Sequence, residues 1–395
     1  MNYELTDPAD GEVREAAAAY ATPGARLRLE SLTLAGFKSI GTPGAEVRFG
    51  EVTVLLGANG AGKSNFISFF QLLNFLTTAA LQKFVVPRGG ADSLLHFGPK
   101  TTGCCQWSLR YSQPSSGRIS TYKGSLFPAS GGRMSLAGET VELHDAEKYD
   151  HPQFIMLAPG LESQMNEHTD KTVQVVRGAL SRCRVYQFHD TSLEAKIRTG
   201  GYLNDNRYLR ADGGNLAAFL FAIKNHPEQS RYYQRIVRHI QNVVPQFDDF
   251  ILEPMANNPK NILLDWKAKG QDYRFGPHQL SDGTLRFMAL TALFMQPPKT
   301  MSSMLIVDEP ELGLHPAALS ALAGMVRSAS RNCQVLLSTQ SSQLVNEFEL
   351  EDIVVVDQDT GNSHFQRLAR EPLAEWLANY SLAELWDKNV LGGRP

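Results

Sequence analysis

Apolar and polar positions change period several times along this chain. Arg26–Leu34 alternates polar and apolar residues, the repeat of a strand with one buried face. A turn around Gly41–Pro43 follows, and Glu51–Leu56, rich in Val and Leu, predicts a buried strand. The glycine-rich turn Gly57–Gly62 separates it from a strongly apolar helix expected over Lys63–Leu76. Trp107–Tyr111 predicts another strand, whereas Ser112–Arg133, rich in Ser and Gly, is expected to form hairpins or loops. Further on, the spacing predicts a helix over Thr172–Arg184 leading into a strand Val185–Phe188. Helices follow over Asn215–Lys224 and Gln229–Val243, the second stopped by Pro245. Short strands are expected at Ile262–Trp266 and Asp272–Phe275. The last third alternates: helix Ser281–Met295, strand Met304–Val307, helix Pro316–Ser328, strand Val335–Leu337, then strand Ile353–Val356 with His364–Leu368 to pair with it. Such alternation predicts an α/β fold with a parallel or mixed sheet covered by helices.

Three short stretches carry chemistry. Gly57, Ala58, Asn59, Gly60, Ala61, Gly62, Lys63 and Ser64 fit the phosphate-loop pattern G-x-x-x-x-G-K-[ST]. Glycines let the backbone curl with its N–H groups inward, and the helix that follows adds its positive N-terminal end. Lys63 then reaches the β- and γ-phosphates of ATP, and the Ser64 hydroxyl ligates Mg2+. Met304–Val307 delivers Asp308 and Glu309 at the end of an apolar strand. There Asp308 serves the magnesium shell, and Glu309 can orient and deprotonate an attacking water. Leu280-Ser281-Asp282-Gly283-Thr284 places a serine and a glycine at a helix start, where phosphate is held or the helix is simply capped.

Together these stretches resemble the Walker A, signature (usually Leu-Ser-Gly-Gly-Gln) and Walker B motifs of ABC-class ATPases. The chain looks like the SMC/RecF-like AAA-type group, which includes OLD-family and PtuA-like phage-defence ATPases. Leu34–Ile40 resembles that group's N-terminal strand motif, Gly57–Asn65 its phosphate loop, and Asp308–Pro316 its acidic strand end. The likeness covers residues 26–100 and 275–358 well and the middle loosely. It implies an ABC-type ATPase head with a mixed sheet and a helical insertion. It also implies a homodimer closed by ATP, with Ser281 and Gly283 completing the partner copy's site and Glu311–His315 as the D-loop. Lys38 and Asn65 join the nucleotide contacts by the same resemblance. Gln340 stands where ABC proteins usually carry a switch His; Gln orients a water but does not titrate as His does. The Q-loop glutamine has no clear place, since Gln71 lies within the helix and Gln106 begins a later strand.

Composition narrows the picture. The chain has 395 residues, 43% of them apolar, and a net charge of −3, so no global basic field draws it to nucleic acid or membrane. No apolar run approaches the ~20 residues that cross a bilayer, and Met1–Ala25 lacks a secretory pattern. A cytoplasmic protein without a membrane partner is expected, its four cysteines reduced. The expected segments are a leader (1–25), an N-terminal lobe (26–111), a helical insertion or lid (112–275) and a C-terminal lobe (276–395). His189-Asp190 reads as structural, and Asp357-Gln358-Asp359 as a hairpin turn rather than a Toprim nuclease site. Arg207, Arg210, Arg231, Arg235 and Arg238 form a candidate patch for DNA or an acidic partner, with a solvated helix face as the plain alternative. Two functions stay open: an ATPase acting in DNA maintenance or phage defence, and a scaffold whose ATP-driven dimerisation, or higher assembly, gates an effector such as a nuclease. A transporter's ATPase subunit is a more distant third.

Overall fold

The structure, a computed structural model, describes residues 27–145 and 151–393; the leader expected over 1–25 lies outside the described residues. In chain order the first part carries β1 (Arg28–Ala35), β2 (Ala45–Arg48), β3 (Val52–Leu56), α1 (Lys63–Leu76), α2 (Leu81–Val85), α3 (Gly90–Leu94), β4 (Cys105–Gln113), β5 (Arg118–Ala129), β6 (Arg133–His144), β7 (Gln153–Met156), α4 (Lys171–Ser181) and β8 (Cys183–Tyr186). There follow α5 (Lys196–Thr199), β9 (Gly201–Tyr202), α6 (Leu216–Asn225), α7 (Ser230–Val243), β10 (Phe247–Ile251), β11 (Pro254–Met255), β12 (Asn258–Ile262), β13 (Asp265–Ala268) and β14 (Arg274–Phe275). The last part carries α8 (Asp282–Met295), β15 (Met304–Asp308), α9 (Pro316–Ser330), β16 (Gln334–Thr339), α10 (Ser342–Val345), β17 (Ile353–Asp359), β18 (Asn362–Arg367), α11 (Ala374–Leu377) and α12 (Leu382–Asp387). Two compact units divide these elements. One holds the described residues up to Arg184 with 351–371 and 389–393, the other 185–350 with 372–388.

In the first unit β1, β2 and β4–β7 form an antiparallel sheet in the order β2-β1-β4-β5-β6-β7. The alternation read in β1 turns Leu29, Leu32 and Leu34 into the core. Separately, β3 runs parallel to β17, and β17 pairs antiparallel with β18. Helix α1 supplies the aromatic centre. Phe69 meets Phe37 edge-on at 5.5 Å and lies 5.7 Å from Trp107, while Phe66 lies 4.9 Å from Phe365 of β18. Such ring pairs add to the burial of the rings themselves.

Of the two forms expected for it, the Ser- and Gly-rich stretch after Ser112 takes that of hairpins, β4–β5 and β5–β6. It contains the whole of the long β5, paired with β4 over Arg118–Leu126 and with β6 over Ile119–Ala129. Its small residues face inward because large neighbours fill the space. A Cβ on Gly124 would collide with the Trp107 indole, and Ser120 is buried beside Tyr122. The 112–275 stretch as a whole is therefore mixed rather than purely helical: α4, α6 and α7 alternate with strands from β5 to β14. A boundary at 111 cuts β4, whereas one at 275 coincides with the end of β14.

The second unit is built on β15 and β16, parallel in register from Met304–Gln334 to Asp308–Ser338. Helix α8 is buried from Leu285 to Met295 except at Arg286 and packs against α7 and α9. Two three-stranded sheets, β10-β13-β14 and β11-β12-β9, complete it. Among the described residues no helix is long and apolar enough to cross a membrane.

Candidate functional site

The residues singled out from the sequence fall into two groups, one in each unit. In the first unit, the loop between β3 and α1 has the shape its glycines require. Gly60 and Gly62 hold left-handed φ angles of 85° and 108°. A Cβ on Gly57 would strike Val356 O, and one on Gly62 would sit on Ser363 Oγ. Lys63 is buried, and its ammonium donates to Gly57 O at 2.6 Å and Ala58 O at 2.9 Å, drawing the loop around itself. Ser64 is exposed at the start of α1, where the positive end of the helix dipole favours an anion.

This loop is braced from behind. Ser363 of β18 donates to Ala61 O at 2.7 Å and accepts from Ser39 Oγ at 2.8 Å, and Asn65 Nδ2 donates to Ser39 Oγ at 2.9 Å. Asn65 therefore serves the brace. Lys38, at φ 50°, donates its ammonium to Ser68 Oγ at 2.7 Å, one turn into α1. Burial and the charge of Arg88 hold its pKa below the usual lysine range. Ser363 was not singled out from the sequence, because nothing near it in the chain repeats a phosphate-binding pattern.

In the second unit, β15 ends on buried Asp308. Ser338 of β16 donates to its Oδ1, and Gln187, just past β8, donates to its Oδ2 at 3.2 Å. His189 Nε2 lies 3.0 Å from Asp308 O, which can only accept, so Nε2 carries the proton. Glu309 sits in the left-handed region at φ 45°, a conformation costing a side-chain-bearing residue about 1 kcal/mol, and its N–H donates to Ser338 O. Glu311 accepts from Thr339 Oγ1 and from the N–H of Gln340 at 3.3 Å, tying the turn after β15 to the end of β16. Burial, against these hydrogen bonds and with the Glu309 charge, pushes the Glu311 carboxyl up. Gln340 itself is exposed.

Ser281 caps α8, accepting from the N–H of Thr284 at 3.2 Å. Gly283 is needed for packing: a Cβ there would run into the carbonyl oxygen of Gly313 in the 311–315 turn. Arg286 donates to Phe188 O at 3.0 Å, His189 O at 2.8 Å and Leu312 O at 3.3 Å. The segment 187–191, which contains the His189-Asp190 pair read as structural, thus joins Asp308 to the Ser281 turn. Gln187, on Asp308, is a glutamine that was not singled out from the sequence. It escaped notice because it lies far from the loop in sequence and in no contiguous motif.

The donor set suits Mg·ATP: a glycine loop that a Cβ would obstruct, a buried ammonium, and an exposed hydroxyl at a helix start. Asp308 with Gln187 offers hard oxygen ligands suited to magnesium.

A family profile described as "AAA domain, putative AbiEii toxin, Type IV TA system" matches residues 198–346. No curated protein matches the chain by sequence. Solved structures similar to it include an SMC head bound to the C-winged helix domain of ScpA, with TM-score 0.56 and 16% identity, covering 87% of this chain and 99% of that one. A second is an SMC head with an extended coiled coil bound to the C-terminal domain of ScpA, derived from Pyrococcus furiosus, with TM-score 0.57 and 14% identity over 89% and 99% of the two chains. An SMC head with a coiled coil and joint from Pyrococcus yayanosii matches with TM-score 0.51 and 14% identity, again over 89% and 99%.

Proposed function

We propose that this chain, which has the P-loop NTPase fold of SMC ATPase heads, binds Mg·ATP in the Gly57–Asn65 loop and hydrolyses it in a homodimer. The observation that carries the reading is the loop itself, curled by Gly60 and Gly62 around the Lys63 ammonium with Ser64 exposed at the start of α1. Lys63 would exchange its two carbonyl partners for phosphate oxygens; in the first unit Ser64 would offer a metal ligand, and in the second Asp308 and Gln187 would offer oxygens suited to magnesium. Magnesium, when bound, neutralises charge on the phosphates. Glu309 accepts a proton from the attacking water on its carboxylate, and Gln340 orients that water. Ser281 and Gly283 of a second copy close the site over the γ-phosphate.

A specific feature supports DNA as a ligand over a scaffold role alone. Between Glu228 and Asp248 the chain carries no acidic residue, and α7 exposes Arg231, Arg235 and Arg238 in that interval. The Arg231 and Arg235 guanidinium groups lie 5.1 and 5.8 Å from the Tyr232 ring, an arrangement suited to phosphates and stacked bases. DNA-stimulated turnover that falls steeply with salt is the expected behaviour; turnover indifferent to DNA, with an effector that co-purifies, favours the scaffold.

The test of the central reading uses light scattering and ATPase assays. Glu309→Gln should bind ATP as the wild type does, slow hydrolysis by ~100-fold or more, and double its mass on adding ATP. Ser281→Arg in that background should keep binding but stay at its starting mass. Wild-type turnover in Glu309→Gln, or mass unchanged by ATP, refutes the corresponding assignment.

A further inference from the structure

The turn leading into α8 carries a carboxylate where ABC signatures usually have glycine: Asp282 follows Ser281 directly. An anion one residue from a phosphate-receiving serine opposes the phosphate unless something cancels it. The structure contains that something. Arg198 of α5 is 7% exposed, and its guanidinium reaches four partners. Nη2 donates to Asp282 Oδ1 at 2.7 Å, Nε donates to Thr191 O at 2.7 Å, and Nη1 donates to Leu280 O at 3.1 Å and to Pro277 O. A buried guanidinium needs such partners. Hydrogen bonding from Arg198, then from Thr191, holds the Asp282 carboxyl below the ordinary carboxylate range, so it is ionised in the pair.

The carbonyls of Pro277 and Leu280 bracket the turn that presents Ser281. Thr191 closes the circuit, for its Oγ1 accepts from Arg286 Nη2 at 3.1 Å, four residues after the glutamine that holds Asp308. We propose that Arg198 is the positioning residue of the signature turn: it fixes the backbone that presents Ser281, and it cancels the Asp282 charge so that the turn can receive a phosphate. This inference rests on the ATP-dimer reading. Arg198 hydrogen-bonds to the backbone and Asp282 of the turn and acts through them.

Arg198→Met, Asp282→Asn and the double variant, each with and without Glu309→Gln, separate this role from a merely structural one. The readouts are thermal melting, fluorescent ATP binding by the isolated protomer, kcat and KM, and ATP-induced mass at low and high salt. Arg198→Met should bind ATP within about threefold of wild type. It should lose at least tenfold in kcat and require at least tenfold more protein to dimerise. Higher salt, or adding Asp282→Asn, should recover most of that dimerisation, because both weaken the same repulsion. If Arg198→Met melts at the assay temperature, Arg198→Lys replaces it: the charge without the fork should preserve dimerisation while lowering kcat. Dimerisation equal to wild type in Arg198→Met overturns the proposal, as does a defect that neither salt nor Asp282→Asn relieves. A wild-type protein that binds ATP without dimerising or hydrolysing it instead fails the underlying reading, and the positioning role falls with it.

Discussion

Glu139 shows how much one buried group can set. It is 1% exposed on β6, accepting from Tyr122 OH at 2.8 Å and Ser163 Oγ at 2.7 Å. Burial raises its pKa above the unfolded value of 4.5, and hydrogen bonds from Ser163, Tyr122 and the Gln164 backbone only partly oppose this. The folded state therefore holds the proton more tightly than the unfolded chain. The resulting stability is complete below pH 4.5 and is lost as pH rises through the folded pKa. Glu139→Gln can still accept from Tyr122 and Ser163 and has no charge to desolvate. It should melt above the wild type at pH 8, with the gap closing towards pH 4 in a series of thermal melts. A variant that melts lower at every pH would mean that the charge-assisted hydrogen bonds outweigh desolvation.

Between elements, the close contact of α8 with the 311–315 turn makes two glycines informative. A Cβ on Gly283 meets the backbone oxygen of Gly313, which cannot give way as a flexible side chain would. Gly324, exposed in the middle of α9, has nothing within 4 Å of the same position. Gly324→Ala should therefore stabilise by ~0.5–1 kcal/mol through reduced backbone freedom in the unfolded chain. Gly283→Ala should cost ~1–3 kcal/mol, typical of overpacking, and should slow ATP turnover because it shifts the Ser281 turn. Denaturant melts of both variants check the signs; stabilisation of both would mean that α8 and the turn separate freely.

At the scale of the whole molecule, carboxylate placement bears on nucleic-acid chemistry. Asp357 and Asp359 end β17 and lie exposed before a Thr360–Gly361 turn, with Asp357 opposite His364 in β18. Among the described residues no group of three His, Cys, Asp or Glu side chains could hold a metal ion. Asp308 is already engaged by Ser338 and Gln187. The purified chain with ATP and Mg2+ or Mn2+ should leave plasmid, single-stranded DNA and RNA intact, so that any cleavage in cells comes from a partner. Cleavage that survives repurification and vanishes in Asp357→Ala with Asp359→Ala would reverse that expectation.

Much of this was written locally. Helix α1 ends at the expected Leu76, and α8 starts after Ser281 and ends at the expected Met295, because apolar spacing and a capping serine act over a few residues. The phosphate loop and the Asp308-Glu309 strand end were legible for the same reason: their chemistry lies in contiguous residues. Strand β8 lies two residues before its expected place, and β5 falls in a stretch for which hairpins and loops both stayed open, since composition does not say which small residues face a tryptophan. The partners were beyond a local reading altogether. Ser363 behind the phosphate loop, Gln187 on Asp308 and Arg198 on the signature turn each join segments far apart in the chain. The amino-acid sequence by itself determined the groups proposed to meet a nucleotide. Only the tertiary structure decided which side chains hold those groups in place, because a hydrogen bond between distant segments depends on where folding brings them and leaves no periodic trace in either.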